Sequence, residues 1–188
     1  AAYLIEVKTG MSYADFVKQN IFDPLNMTNT GYDRSQSNQE QLANLYIGKD
    51  YPLPEYSHSS YPDGFINTSN EMLSKYLLEM MKGAAGNGTL LSKESYQTLF
   101  QRQSPEGMEE GEVHGVFWDL TDDGRIEHNG ADPGVIAFLS FEPVGNTAHQ
   151  IMANINESGL GEPLGVDGQI AFGQFFEILD AVRTFEKE

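Results

Sequence analysis

The stretch HGVFWDLTDDGRIEHNGADPGVIAFLSFEP, residues 114–143, decides the fold. Residues 113–120 predict a strand that ends at Asp122-Asp123-Gly124, a strong turn signal. Arg125–His128 can return as a second strand, and beyond Gly130–Gly134 the run Val135–Phe141 reads as a buried one. Pro143, Gly145 and Asn146 turn the chain, and Ala148–Ile155 comes back. Connections this short imply a three- or four-stranded antiparallel meander. After four glycines and a proline in 157–168, Phe172, Phe175, Phe176, Leu179, Val182 and Phe185 share one helical face. That face needs an apolar partner, and the meander is the most economical one.

Upstream the period is helical. Tyr3, Leu4 and Val7 lie on one face of a first helix, and Gly10 stands where a C-terminal cap belongs. Ser12 with Asp15 predicts a capping box for a second helix, whose Tyr13, Phe16, Val17 and Ile21 form a stripe that Pro24 stops. Residues 26–37 read as loop, Leu42, Leu45 and Tyr46 as a short apolar cluster, and the proline- and tyrosine-rich 48–64 as an ordered loop. Thr68 with Glu71 predicts a second capping box for a helix carrying Met72, Leu73, Tyr76, Leu77, Met80 and Met81, closed by Lys82 and Gly83. Ser92 is expected to cap another, with Tyr96, Leu99 and Phe100 inward.

Composition removes whole classes of function. The chain has 188 residues, 28 acidic and 11 basic, for a net charge of −17, and no cysteine. Disulfide scaffolds, thiol nucleophiles, iron–sulfur clusters and cysteine-bound zinc are thereby excluded. The sign of the charge repels phosphates, so neither nucleic acid nor an anionic membrane surface is an expected partner. No apolar run approaches the roughly 20 residues of a membrane helix. The length suits one domain, or one with a satellite. AAYLIEVKTG lacks the basic leader and long apolar stretch of a signal peptide and reads as an amphipathic helix already under way, which raises the question of whether the chain is whole.

Several candidate sites have plainer readings. None of His58, His114, His128 and His149 has an i, i+4 histidine partner, and HExxH is absent, so no metal is expected. Glu106, Glu109, Glu110 and Glu112 lack the spacing of a calcium loop and read as a solvated surface. Gly159-Leu160-Gly161 starts like a dinucleotide fingerprint, but Pro163 and its place after the last strand make it a connector; no cofactor is expected. Four N-x-S/T sequons, at Asn26, Asn67, Asn87 and Asn156, matter only in a eukaryotic secretory pathway. There is no G-x-S-x-G elbow, and Lys8-Thr9-Gly10, though it spells a known hydrolase motif, falls at a helix end.

The order of segments resembles the penicillin-binding-protein-like serine hydrolases, which comprise class C β-lactamases and related esterases and D-amino-acid peptidases. The similar stretches are 4–32 (LIEVKTGMSYADFVKQNIFDPLNMTNTGY), 62–83, 90–100 and, above all, 114–143. The resemblance implies an α+β chain forming the C-terminal part of that fold. Residues 1–105 would supply a partial helical region, and 106–188 an antiparallel sheet with a C-terminal helix packed on it. It identifies His128-Asn129-Gly130 as the third family motif. His128 would be a donor or cation at a strand end, Asn129 would face substrate, Gly130 would leave room for its approach, and the N–H of Ala131 would be one half of an oxyanion hole.

The family nucleophile is a Ser-x-x-Lys serine helped by Tyr-x-Asn. Neither motif occurs in these residues: Ser69, Ser74 and Ser92 are followed three places on by Met72, Leu77 and Ser95. The implied function is therefore the C-terminal half of a serine acyl-transfer hydrolase acting on a small-molecule or peptide amide, ester or β-lactam, inactive as an isolated chain. The alternative is a non-catalytic binding or assembly module on the same half-fold, and the gene upstream of Ala1 separates the two. The resemblance also implies an extracytoplasmic location. The stripes at Phe16/Ile21 and Phe172/Phe176, if uncovered, imply a missing N-terminal half or self-association.

Overall fold

A computed structural model describes residues 1–32, 38–48, 50–103, 113–156 and 166–185. The period-2 region is a four-stranded antiparallel sheet in sequence order, with β1 at Asp119–Leu120, β2 at Ile126–Asp132, β3 at Val135–Glu142 and β4 at Thr147–Ala153. β3 and β4 lie within two residues of their expected bounds, and two strands differ by more. Of the strand expected over 113–120, only Asp119–Leu120 belongs to the sheet. Gly115 N–H donates to Trp118 O at 2.8 Å, closing a tight turn in which Phe117 has φ 63°, and that turn breaks the run. Conversely, β2 runs on to Asp132, paired residue by residue from Ile126↔Phe141 to Asp132↔Val135. The connection is then Pro133-Gly134 alone, with Gly134 at φ 80°. Asn129 and Gly130 are poor strand formers, but pairing with the β-branched and aromatic β3 overrides that local preference.

Alternation sends successive β3 residues to opposite faces. Phe141 and Ile126 of β2 join Trp118, Leu77, Met80, Met81 and Tyr96, so this face is covered by helices α3 (Asn70–Ala84) and α4 (Lys93–Phe100). Ile136 and Phe138 meet Phe175 and Leu179 of α5 (Val166–Phe185) on the other face. The C-terminal helix therefore packs on the meander as its periodicity implied, although Phe176 and Phe185 stay exposed. The side chain of Phe172 lies outside the described residues, as do Glu106, Glu109, Glu110 and Glu112 and the connector at 159–163.

Local signals place the helix ends. Helix α1 (Ala2–Thr9) stops at Gly10, φ 70°, whose N–H donates to Glu6 O. Ser12 caps α2 (Tyr13–Val17) by accepting from Asp15 N–H; the chain continues as a wider helical turn to Phe22. Phe16 and Ile21 pack beside Val17, Phe22, Met27 and Met72, so that stripe is covered within the chain. The cap of α3 is Ser69, which accepts from Met72 N–H, and not Thr68. Thr68 is engaged elsewhere, its hydroxyl 3.0 Å from that of Thr30. Ser92 caps α4 as expected. The face of α1 is different: Tyr3, Leu4 and Val7 are 74%, 61% and 63% exposed.

Candidate functional site

His128, Asn129, Gly130 and Ala131 are all exposed, although they lie inside a strand whose first two residues are buried. The cause is the short β1, which pairs only with Ile126 and Glu127. Among the described residues no strand covers the outer edge of β2 beyond that point. His128 is therefore not at a strand end, as the sequence suggested, but third in a seven-residue strand. Its ring stands edge-on to that of Trp118, with centroids 6.1 Å apart and planes at 75°. Trp118 is itself packed on Phe100 and Phe141, so the imidazole is backed by the core.

A Cβ added to Gly130 would meet nothing within 4 Å, so open space lies over this residue. In a hairpin closed by two residues, the residues flanking the turn form the first hydrogen-bonded pair, here Asp132 and Val135. The next pair, Ala131 and Ile136, then directs its backbone groups outward, which turns the Ala131 N–H to the uncovered edge.

That end of β2 is held from three directions. Asn156 is buried; its side-chain amide donates to Asp132 O and Val135 O at 2.9 and 3.1 Å, and its carbonyl accepts from Gly134 N–H at 2.7 Å. Its own N–H donates to Tyr46 O, which ties in the loop before residue 52. Tyr56 donates its hydroxyl to Pro133 O at 2.6 Å. The rings of Tyr56, His58 and Phe65 pack mutually at 5.2–5.5 Å, and His58 Nε2 lies 3.7 Å from Asp132 Oδ1. The sequon asparagine at 156 is thus a structural clamp.

Under the other face is a polar network that sequence reasoning missed. Arg125 Nε donates to Ser140 Oγ at 2.7 Å, Ser140 Oγ donates to Glu127 Oε1 at 3.0 Å, and Arg183 Nη2 donates to the same Glu127 oxygen at 2.7 Å. His149 stacks on Phe138, with Nδ1 3.1 Å from Arg125 Nη2. These groups lie between the sheet and α5 and brace the residue adjoining His128. Only the register Glu127↔Ser140 brings them together, and register is not legible before the strands are paired. His114 Nδ1 lies 2.8 Å from Asp119 Oδ1, across the small hairpin before β2. Among the described residues no three of His, Asp and Glu group as a metal site would need. Lys8 of the decoy triplet sits in the last turn of α1.

The family model described as Beta-lactamase matches residues 1–165. Penicillin-binding protein 4* of Bacillus subtilis (strain 168) is 29% identical over 155 residues, covering 71% of this chain and 33% of that protein. D-amino acid amidase from Ochrobactrum anthropi SV3, solved with L-phenylalanine amide, superposes with a TM-score of 0.71 at 17% identity, over 97% of this chain and 54% of that one. The octameric penicillin-binding protein homologue from Pyrococcus abyssi gives 0.66 at 20% identity, over 94% of this chain and 40% of that one. The chain thus spans about a third of the curated relative and roughly half or less of these solved chains. The motif order, the α+β arrangement of sheet and helices and the match over residues 1–165 lead to one conclusion: this chain belongs to the Beta-lactamase family, the group of penicillin-binding-protein-like serine hydrolases.

Proposed function

We propose that this chain supplies the electrostatic wall of a serine acyl-transfer site, with the nucleophile coming from outside these residues. The observation that carries the reading is the exposed run His128–Ala131, paired to β3 along one edge and left uncovered by β1 along the other. His128, backed by Trp118, presents a ring N–H or lone pair to a substrate carboxylate or leaving group. The Ala131 N–H is one donor to a carbonyl oxygen that gains charge as the tetrahedral intermediate forms; such a donor is typically worth about 2.7–4 kcal/mol in the transition state. Gly130 lets substrate lie close to the strand, whereas Asn129, paired with Phe138, falls on the α5 side of the sheet, away from His128. Residues 1–105 act as a partial helical region and 106–188 as the sheet region of the site. The substrate is a small-molecule or peptide amide, ester or β-lactam, and the family resemblance favours an extracytoplasmic location.

Since no serine here is followed by lysine three residues on, the isolated chain should not react with a serine-directed fluorophosphonate. Intact-mass analysis after excess reagent should show unmodified protein. Stoichiometric labelling would overturn the placement of the nucleophile outside these residues.

The exposed face of α1, Tyr3, Leu4 and Val7, calls for a cover. We infer that an N-terminal partner segment or a second copy provides it. Among the described residues no helix is long and apolar enough to cross a membrane. Sedimentation at micromolar concentration should therefore show self-association of the chain alone, weakened by Leu4→Glu; a compact monomer that Leu4→Glu leaves unchanged would count against this.

A further inference from the structure

Among the described residues, five other than glycine have positive φ: Asn26, Asn29, Asn146, Phe65 and Phe117. Asparagine tolerates this region, whereas a bulky side chain there is strained. Phe65 (φ 62°) is held by ring contacts with Tyr56 and His58, so packing offsets its strain. Phe117 (φ 63°) is 76% exposed. It is the third residue of the tight turn Gly115–Trp118, a position whose geometry suits glycine or asparagine. The backbone cannot relax, because Val116 N–H donates to Leu99 O at 2.8 Å and a Cβ on Gly115 would fall 2.5 Å from that same oxygen. The turn is therefore pressed onto the end of α4 with a large aromatic ring standing in water. The next residue, Trp118, is the one that backs His128.

A strained, exposed aromatic one residue along the chain from the tryptophan that backs a candidate site is the pattern expected where a side chain is kept for a contact rather than for stability. We propose that Phe117 is a specificity-determining residue of this site, taking an uncharged apolar group, aromatic or branched aliphatic, carried by the acyl donor. This rests on the reading of His128–Ala131 given above. It narrows the substrate class to amides or esters with an apolar arm that reaches the turn beside Trp118. An aromatic arm stacked on Phe117 should add about a fivefold gain in affinity over the same amide without it.

The chain itself can be tested, since binding needs no nucleophile. Phenylacetamide and acetamide are titrated into the ¹⁵N-labelled protein while the amides of Gly130 and Ala131 and the indole of Trp118 are followed. Phenylacetamide should bind about five times more tightly than acetamide. Phe117→Asn should abolish that advantage and, by relieving the strained φ, raise Tm by about 2–4 °C. Phe117→Tyr should keep the advantage. A merely structural phenylalanine would give the reverse, with lower stability and unchanged selectivity. Retention of the advantage in Phe117→Asn overturns the proposal while leaving the site intact. If neither amide perturbs Gly130 or Ala131 in the unmodified chain, the reading of the site falls, and the role of Phe117 with it.

Discussion

Gly83→Ala should be among the most destabilising single-atom additions in this protein. Placed near the end of α3, Gly83 invites the opposite forecast, because glycine to alanine in a helix normally gains about 0.5–1 kcal/mol. Here the added Cβ would fall 2.2 Å from two ring carbons of Tyr96, which is 1% exposed and has no room to retreat. Gly88 crowds the same ring: a Cβ there would come within 2.3 Å of Tyr96 and 2.8 Å of Gly83 Cα, so both glycines are needed where the aromatic packs. Overpacking of this severity costs about 3 kcal/mol or slightly more. At this chain length that corresponds to a fall in Tm of roughly 6–12 °C. Gly173, inside α5, is the control: a Cβ there meets nothing within 4 Å, so Gly173→Ala should raise Tm by about 2–4 °C. Thermal unfolding of the two variants measures both. An upward shift for Gly83→Ala would show that α3 and α4 are not packed as described.

The second large effect is at Glu79, a carboxylate 3% exposed on the inner side of α3. One of its oxygens accepts from the N–H groups of Thr89 and Leu90, the hydroxyl of Thr89 and, at 2.6 Å, the hydroxyl of Tyr96. It thus holds the α3–α4 connection and orients the ring that Gly83 accommodates. Glu79→Ala leaves these donors without their acceptor and should cost about 3–4 kcal/mol. Glu79→Gln keeps a carbonyl but loses the charge, and should cost about half as much.

Acid should erase the difference. Burial alone pushes the Glu79 pKa up, but the hydrogen bonds from Tyr96, Thr89 and Leu90 outweigh it and hold the carboxyl below its ordinary value. A group whose native pKa is depressed contributes stability that is present above its unfolded pKa. That contribution is lost as pH falls through the native value. The gap in urea midpoint between the parent chain and Glu79→Gln should therefore be full at pH 7 and close as pH drops below the ordinary carboxylate range. A gap that widens with acid would reverse the sign of the argument.

Glu79 also shows where sequence reading stops. On α3 it sits among Leu78, Met80 and Met81, and a glutamate there reads as one more solvated charge. Nothing local marks it as buried, because its partners are 10 to 17 residues away, across a turn. The caps were more legible: Ser12, Ser92 and Gly10 each act through a bond to a residue three or four positions off. Even so, the cap of α3 moved by one residue, from Thr68 to Ser69, because Thr30 engages Thr68 from a distance.

The candidate site divides in the same way. His128, Asn129, Gly130 and Ala131 were proposed from motif order, since the resemblance lies in linear spacing. Their setting was not. A turn at Gly115–Trp118 shortened β1, pairing with β3 carried β2 through Asn129-Gly130, and the two together left those residues exposed within a strand. Glu127, Arg125, Ser140 and Arg183 became one network only through register and the docking of α5.

The sequence by itself determined the family, the change from helical to strand period near residue 113 and the caps at Gly10, Ser12 and Ser92, because each rests on residues close together in the chain. Only the tertiary structure decided that His128 lies within a strand and not at its end, that Glu79 is buried, that Phe117 bears strain in the open and that Tyr3, Leu4 and Val7 stand uncovered. Burial and edge exposure are sums over contacts between distant segments, and a linear pattern states which face is apolar without stating what, if anything, will cover it.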